Sequence, residues 1–104
     1  MPTTDEIKRR KGDRAAILDG LVSKSPVFRF QAICGAVNHN LHEQEVVARI
    51  EALVDDNAEI MGYPISALAV AALAKLGKAV YQGKDRTIKQ LIDAPLWFDD
   101  GEKA

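Results

Sequence analysis

Apolar positions recur along this chain at helical spacing. Between residues 43 and 54, Val46, Val47, Ile50, Leu53 and Val54 fall on one stripe. Gln44, Glu45, Ala48, Glu51 and Ala52 fall on the opposite side. A three-to-four residue recurrence of this kind marks a helix with one buried face. Two further stretches are apolar nearly all round. Residues 27–37 carry only Arg29 and Gln31 as polar positions, and residues 65–76 only Ser66 and Lys75. A helix without a polar face lies sandwiched between neighbours. No segment of useful length alternates apolar with polar, so the whole chain reads as helical, with residues 55–63 as a loop.

Start and stop signals divide the helices. Thr3 followed by Glu6 has capping-box spacing, and a helix from there carries Ile7 and the run Lys8-Arg9-Arg10-Lys11 up to Gly12. Asp13 can cap a second start, with Ile17, Leu18, Leu21 and Val22 on one face. The pattern leaves open whether these are one helix or two. Ser25-Pro26 starts the first all-apolar helix, because proline at the first helical position gives up no hydrogen bond. Asn38-His39-Asn40 breaks it, and Asn40 with Glu43 predicts the next start. Asp55-Asp56-Asn57 ends that helix. Pro64 opens the second all-apolar helix, which stops at Gly77 or continues to Gly83. Asp85 can cap a final helix carrying Ile88, Leu91 and Ile92, which Pro95 ends.

The two apolar helices share a register. Phe28, Arg29, Ala32 and Gly35 align with Ile65, Ser66, Ala69 and Ala72 at an offset of 37 residues. Arg49 and Arg86 keep that offset. A fixed period of roughly 20–50 residues is a mark of stacked helical arrays. With its spaced alanines and its terminal Leu76-Gly77, residues 65–77 resemble the first helix of a HEAT-type repeat. The resemblance covers roughly residues 25–93. It implies two antiparallel helix pairs, a short right-handed α-solenoid whose second helices line one surface. The alternative all-α architecture is an irregular bundle of about five helices. Either way the 104 residues form one domain. Residues 1–12 then form a helix open to fraying, and residues 95–104 an aromatic-acidic tail.

Composition narrows the function classes. Fourteen Lys+Arg against fifteen Asp+Glu give a formal charge of −1, which excludes a generally basic nucleic-acid coat. The longest apolar run, residues 67–74, is far shorter than the roughly 18 residues of a membrane span. No basic-then-apolar leader opens the chain, and the expected location is the cytoplasm. The single cysteine, Cys34, sits among apolar neighbours and reads as a core residue.

Candidate chemistry is sparse. Cys34, His39 and His42 form C-x4-H-x2-H without a sensible fourth zinc ligand, so neither metal nor cofactor is expected. The two histidines read as turn and cap polarity. No phosphate loop or nucleophile elbow occurs, and Ser23, Ser25, Ser66 and Thr87 assemble no triad. Asp55-Asp56 and Asp99-Asp100 read as solvated turn residues. The chain is therefore not expected to be an enzyme.

Three function classes remain. The leading expectation is non-catalytic protein binding, by a small adaptor, inhibitor or immunity-type protein. Its contact surface would be Gln44, Glu45, Ala48, Arg49, Arg86, Lys89 and Gln90, with Arg49 and Arg86 as forked donors for carboxylates. A nucleic-acid-associated regulator would use Lys8, Arg9, Arg10 and Lys11. An accessory subunit of an enzyme complex is the third. A homodimer through the apolar helix 65–76 is a further candidate. Trp97, with Leu96 and Phe98, either folds back as an end cap or docks on a partner.

Overall fold

The computed structural model describes residues 4–95 and 97. Six helices and one small hairpin follow in the order α1 (Thr4–Arg10), α2 (Arg14–Leu21), α3 (Pro26–Asn38), α4 (Gln44–Glu51), β1 (Glu59–Ile60), β2 (Tyr63–Pro64), α5 (Ile65–Lys75) and α6 (Arg86–Asp93). The fold is all-α.

Three of the helix starts are capped by the side chains the sequence nominates. Asp13 accepts from the Ala16 N–H at 3.0 Å, Ser25 from Phe28 at 3.4 Å and Asp85 from Ile88 at 3.1 Å. Each bond satisfies one of the orphan donors of a first turn. The open question at the N-terminus resolves into two helices. Gly12 adopts φ 80°, a left-handed conformation costly for other residues, and the Asp13 N–H turns back to the Lys8 carbonyl. At the other apolar helix, α5 stops at Gly77 and not at Gly83, with the Lys78 N–H on the Leu73 carbonyl.

Two local expectations are corrected. Asn40 does not start α4. It takes φ 54° and closes α3, with the Leu41 N–H on the Ala36 carbonyl. The capping position of α4 is Glu43, whose side chain makes no cap bond. Second, the expected loop contains a two-stranded antiparallel hairpin, with Ile60 opposite Tyr63. Its two turn residues, Met61 and Gly62, both have positive φ, the type I′ pattern that fits a strand pair.

The core is one continuous cluster. Ile17, Leu21, Ile33, Val46, Ile50, Ile65, Leu68 and Trp97 are its largest fully buried side chains. Helix α3 packs on α1, α2 and α5, while α5 packs on α3, α4, α6 and β2. Both all-apolar helices are thus sandwiched, as their composition demands. The first expected hairpin, α3 with α4, is not one of the main contacts; α4 lies on α2 and α5 instead. The second, α5 with α6, packs closely.

The packing also corrects the homodimer expectation. Ile65, Leu68, Ala69, Ala71 and Ala72 of α5 are completely buried by neighbouring elements of the same chain. Helix 65–76 offers no free apolar face to a second copy. Helix α1 likewise packs on α2 and α3.

Candidate functional site: a groove between α2, α3 and α4

A groove of about 530 Å³, open to solvent, lies among the described residues. Leu21, Val22 and Ser23 at the end of α2 form one wall. Ala48, Arg49, Ala52 and Leu53, from α4 and the turn after it, form another. Arg29 of α3 and Asp56 close the end. Leu21 and Leu53 are buried, whereas Val22 is 62% exposed. Ala48 and Ala52 are exposed and small, which keeps the groove open.

Arg29 organises the closed end. Its Nε stands 2.7 Å from Asp56 Oδ2, an ion-pair contact without hydrogen-bond geometry. Nη2 donates to Asp56 Oδ1 at 3.4 Å and Nη1 to the Ser23 carbonyl at 2.9 Å. Both side chains are only 15% exposed. Asp56 also accepts from the Ala58 N–H at 2.9 Å, so it ties the chain entering the hairpin to the start of α3. This corrects the reading of Asp56 as a solvated turn residue; Asp55 beside it is exposed.

The difference makes a prediction. Asp56→Ala strands a guanidinium that is only 15% exposed and is expected to cost about 2 kcal/mol, somewhat below the range for a fully buried pair because some solvent still reaches it. Asp55→Ala should stay within about 0.5 kcal/mol. Urea denaturation midpoints of the two variants separate these outcomes.

A second ionic cluster joins α2 to α4. Arg14 Nε donates to both Glu43 carboxylate oxygens at 2.9 Å, and Nη2 donates to Glu45 Oε1 at 2.8 Å. The Glu45 hydrogen bond, then the Glu43 charge, raise the Arg14 pKa above its ordinary value. Glu45 Oε2 accepts from Arg49 Nη2 at 3.2 Å, and Arg49 Nη1 donates to the Leu18 carbonyl at 3.0 Å.

The expected partner surface therefore divides. Ala48 and Arg49 line the groove, with Gln44 and Glu45 exposed on the same helix. Arg49 is committed to α2 and is not the free fork that the sequence suggests. Arg86, Lys89 and Gln90 are exposed on α6, which packs on α5 and has no main contact with α4. Arg49 lines the groove, and Arg86 is not among its lining residues.

The basic run also divides. Arg9 is 3% exposed. Its Nε and Nη2 donate to Gln31 Oε1 at 3.1 and 2.8 Å, and its guanidinium lies 4.6 Å from the Phe28 ring centroid. Arg10 contacts Glu6 at 3.4 Å and is 38% exposed. Only Lys8 and Lys11 are fully at the surface. Four cations facing one phosphate backbone are not present, which corrects the residue set of the nucleic-acid alternative.

The other candidates have local roles. Cys34 is 6% exposed, and burial pushes its thiol pKa well up. His39 Nε2–H donates to the Arg10 carbonyl at 2.6 Å, capping the end of α1, and His42 is exposed. Among the described residues no three His, Cys, Asp or Glu side chains gather as a metal site. No helix among them is long and apolar enough to cross a membrane. Asp99, Asp100, Leu96 and Phe98 lie outside the described residues.

Sequence reasoning missed the Arg29–Asp56 and Arg14–Glu43–Glu45 pairs. Arg29 carried the one usable signal, a cation in an otherwise apolar helix. The chain matches no family model, no curated protein and no solved structure.

Proposed function

We propose that this protein is a non-catalytic protein-binding module, a small adaptor, inhibitor or immunity-type protein of the cytoplasm. Its groove between α2, α3 and α4 receives an apolar segment of a protein partner. One observation carries this reading: this open groove has an apolar floor, while its charged groups are already bonded within the chain. Its lining contains neither histidine nor cysteine, and its one carboxylate is held by Arg29. A nucleophile there has no base to activate it. Pockets of roughly 300–1,000 Å³ suit ligand side chains, and an exposed valine on the rim suits an apolar one.

The test blocks the groove without touching the fold. Ala48 is exposed on α4, so Ala48→Trp fills the groove at about 0.5 kcal/mol of helix propensity. Tagged wild-type and Ala48→Trp proteins are used to capture partners from the native cell at low and high salt. A stoichiometric, salt-resistant partner that falls about tenfold with Ala48→Trp, equivalent to about 1.4 kcal/mol, is the expected result. Equal capture by both proteins overturns the groove. Loss with Arg86→Glu instead moves the surface to α6.

A further inference from the structure

The groove between α2, α3 and α4 has a charge preference. Leu21 and Val22 line it at the C-terminal end of α2, and Ala52 lines it at the C-terminal end of α4. The carbonyl end of a helix carries partial negative charge. The chain's own cations already answer it. Arg49 Nη1 donates to the Leu18 carbonyl in α2, and Arg29 Nη1 to the Ser23 carbonyl just beyond.

The side chains about the groove and the α2–α4 contact fall into two sets. Arg14, Arg29 and Arg49 are matched in ion pairs by Glu43, Glu45 and Asp56. Asp19, Glu51 and Asp55 are exposed and enter no ion pair among the described residues. Asp19 stands one helical turn before the lining residues Val22 and Ser23, and Glu51 one turn after Ala48. Asp55 adjoins Asp56 in the turn after α4. Lys24, exposed beside Ser23, is set against these three carboxylates.

We propose that the groove takes a basic–apolar segment of a protein partner. One apolar side chain rests on the floor formed by Leu21 and Leu53, and a Lys or Arg within about one helical turn of it meets Asp19, Glu51 or Asp55. This rests on the reading of the groove as a protein-binding site and names the chemistry of its occupant. The apolar anchor supplies most of the affinity and survives salt. The carboxylates select, because an acidic segment of equal apolarity meets like charge and two helix C-termini.

The probe is a phage-displayed library of random peptides, selected on the wild-type protein and cleared of peptides that Ala48→Trp also captures. The surviving peptides are expected to share an apolar residue flanked by Lys or Arg. Synthetic copies are then titrated against a variant combining Asp19→Lys, Glu51→Lys and Asp55→Lys. All three positions are exposed, and lysine suits a helix C-terminal end, so this variant keeps its fold. Each exposed pair is worth about twofold, so binding is expected to weaken about eightfold at low salt and about twofold at high salt. Groove-dependent peptides with neutral or acidic flanks overturn the proposal while leaving the protein-binding groove in place. Unchanged binding by the triple variant overturns it too, as does an equal loss at both salts, which marks a damaged groove. No groove-dependent peptide at all overturns the underlying protein-binding reading. Sedimentation of the protein alone is expected to show a monomer. Self-association abolished by Ala48→Trp would assign the groove to a second copy, through Val80 (82% exposed) with Lys78 and Lys84 beside it, and would also overturn the proposal.

Discussion

Trp97→Ala is expected to destabilise the protein by about 3–5 kcal/mol, the range for removing a large buried aromatic. Trp97 is 1% exposed and belongs to the same apolar cluster as Ile33, Leu68 and Leu91. Its indole bond to the Leu91 carbonyl ties the chain to the end of α6, and its backbone bonds to Asn38 tie it to the end of α3. Alanine removes the apolar payload that holds the segment down, so both Asn38 bonds go with it. At about 4–8 °C per kcal/mol, the melting temperature should fall by at least about 12 °C. Trp97→Phe keeps most of the burial and loses the Nε1–H bond, so its expected cost is about 1–2 kcal/mol. Circular dichroism melts read both. A fall below about 3 °C for Trp97→Ala would show that Trp97 is not part of the core.

Trp97 also shows how the sequence could frame a question without answering it. Tail aromatics after a helix stop are consistent with an end cap or with an anchor on a partner. The choice depends on Asn38, 59 residues away, which no local pattern reveals. Helix starts were legible because a cap is a local bond: Asp13, Ser25 and Asp85 each reach an N–H three residues on. Asn40 misled for a physical reason. Asparagine suits both a helix start and the left-handed position after a helix end. Its spacing to Glu43 matched a capping signal, but Glu43 spends its carboxylate on Arg14, 29 residues away.

One member of the basic run turns away from solvent for a geometric reason. Four successive residues on a helix point around its whole circumference, so one of them faces the core. That residue is Arg9, and Gln31 and Phe28 receive it. Helices α3 and α5, which share the 37-residue register, are each packed against three other helices. The groove was half legible. Ala48 and Arg49 lay on the outward stripe of α4, but the opposite wall comes from the end of α2 and from Arg29.

Gly35→Ala is the second large effect, and its sign runs against helix propensity. In an exposed helix interior, alanine would gain about 1 kcal/mol over glycine. Gly35 lies inside α3, where a Cβ would run into the Arg9 carbonyl oxygen at the last turn of α1. It would also stand 3.2 Å from Ile17 Cδ1. The isoleucine methyl can rotate away, but a helix carbonyl cannot, so α1 itself must move. That displacement breaks the Arg9 bonds to Gln31, the Phe28 contact and the His39 bond to the Arg10 carbonyl. A seven-residue helix without tertiary support does not persist in water. The expected net cost is about 2 kcal/mol, the upper end for overpacking less the propensity gain of about 1 kcal/mol. The loss should be regional. Hydrogen exchange is expected to lose its protection over α1 while α5, enclosed by α3, α4 and α6, keeps its own. A melting temperature that rises with Gly35→Ala, as propensity alone requires, would mean that α1 is not seated on this glycine and that the buried Arg9 has some other origin.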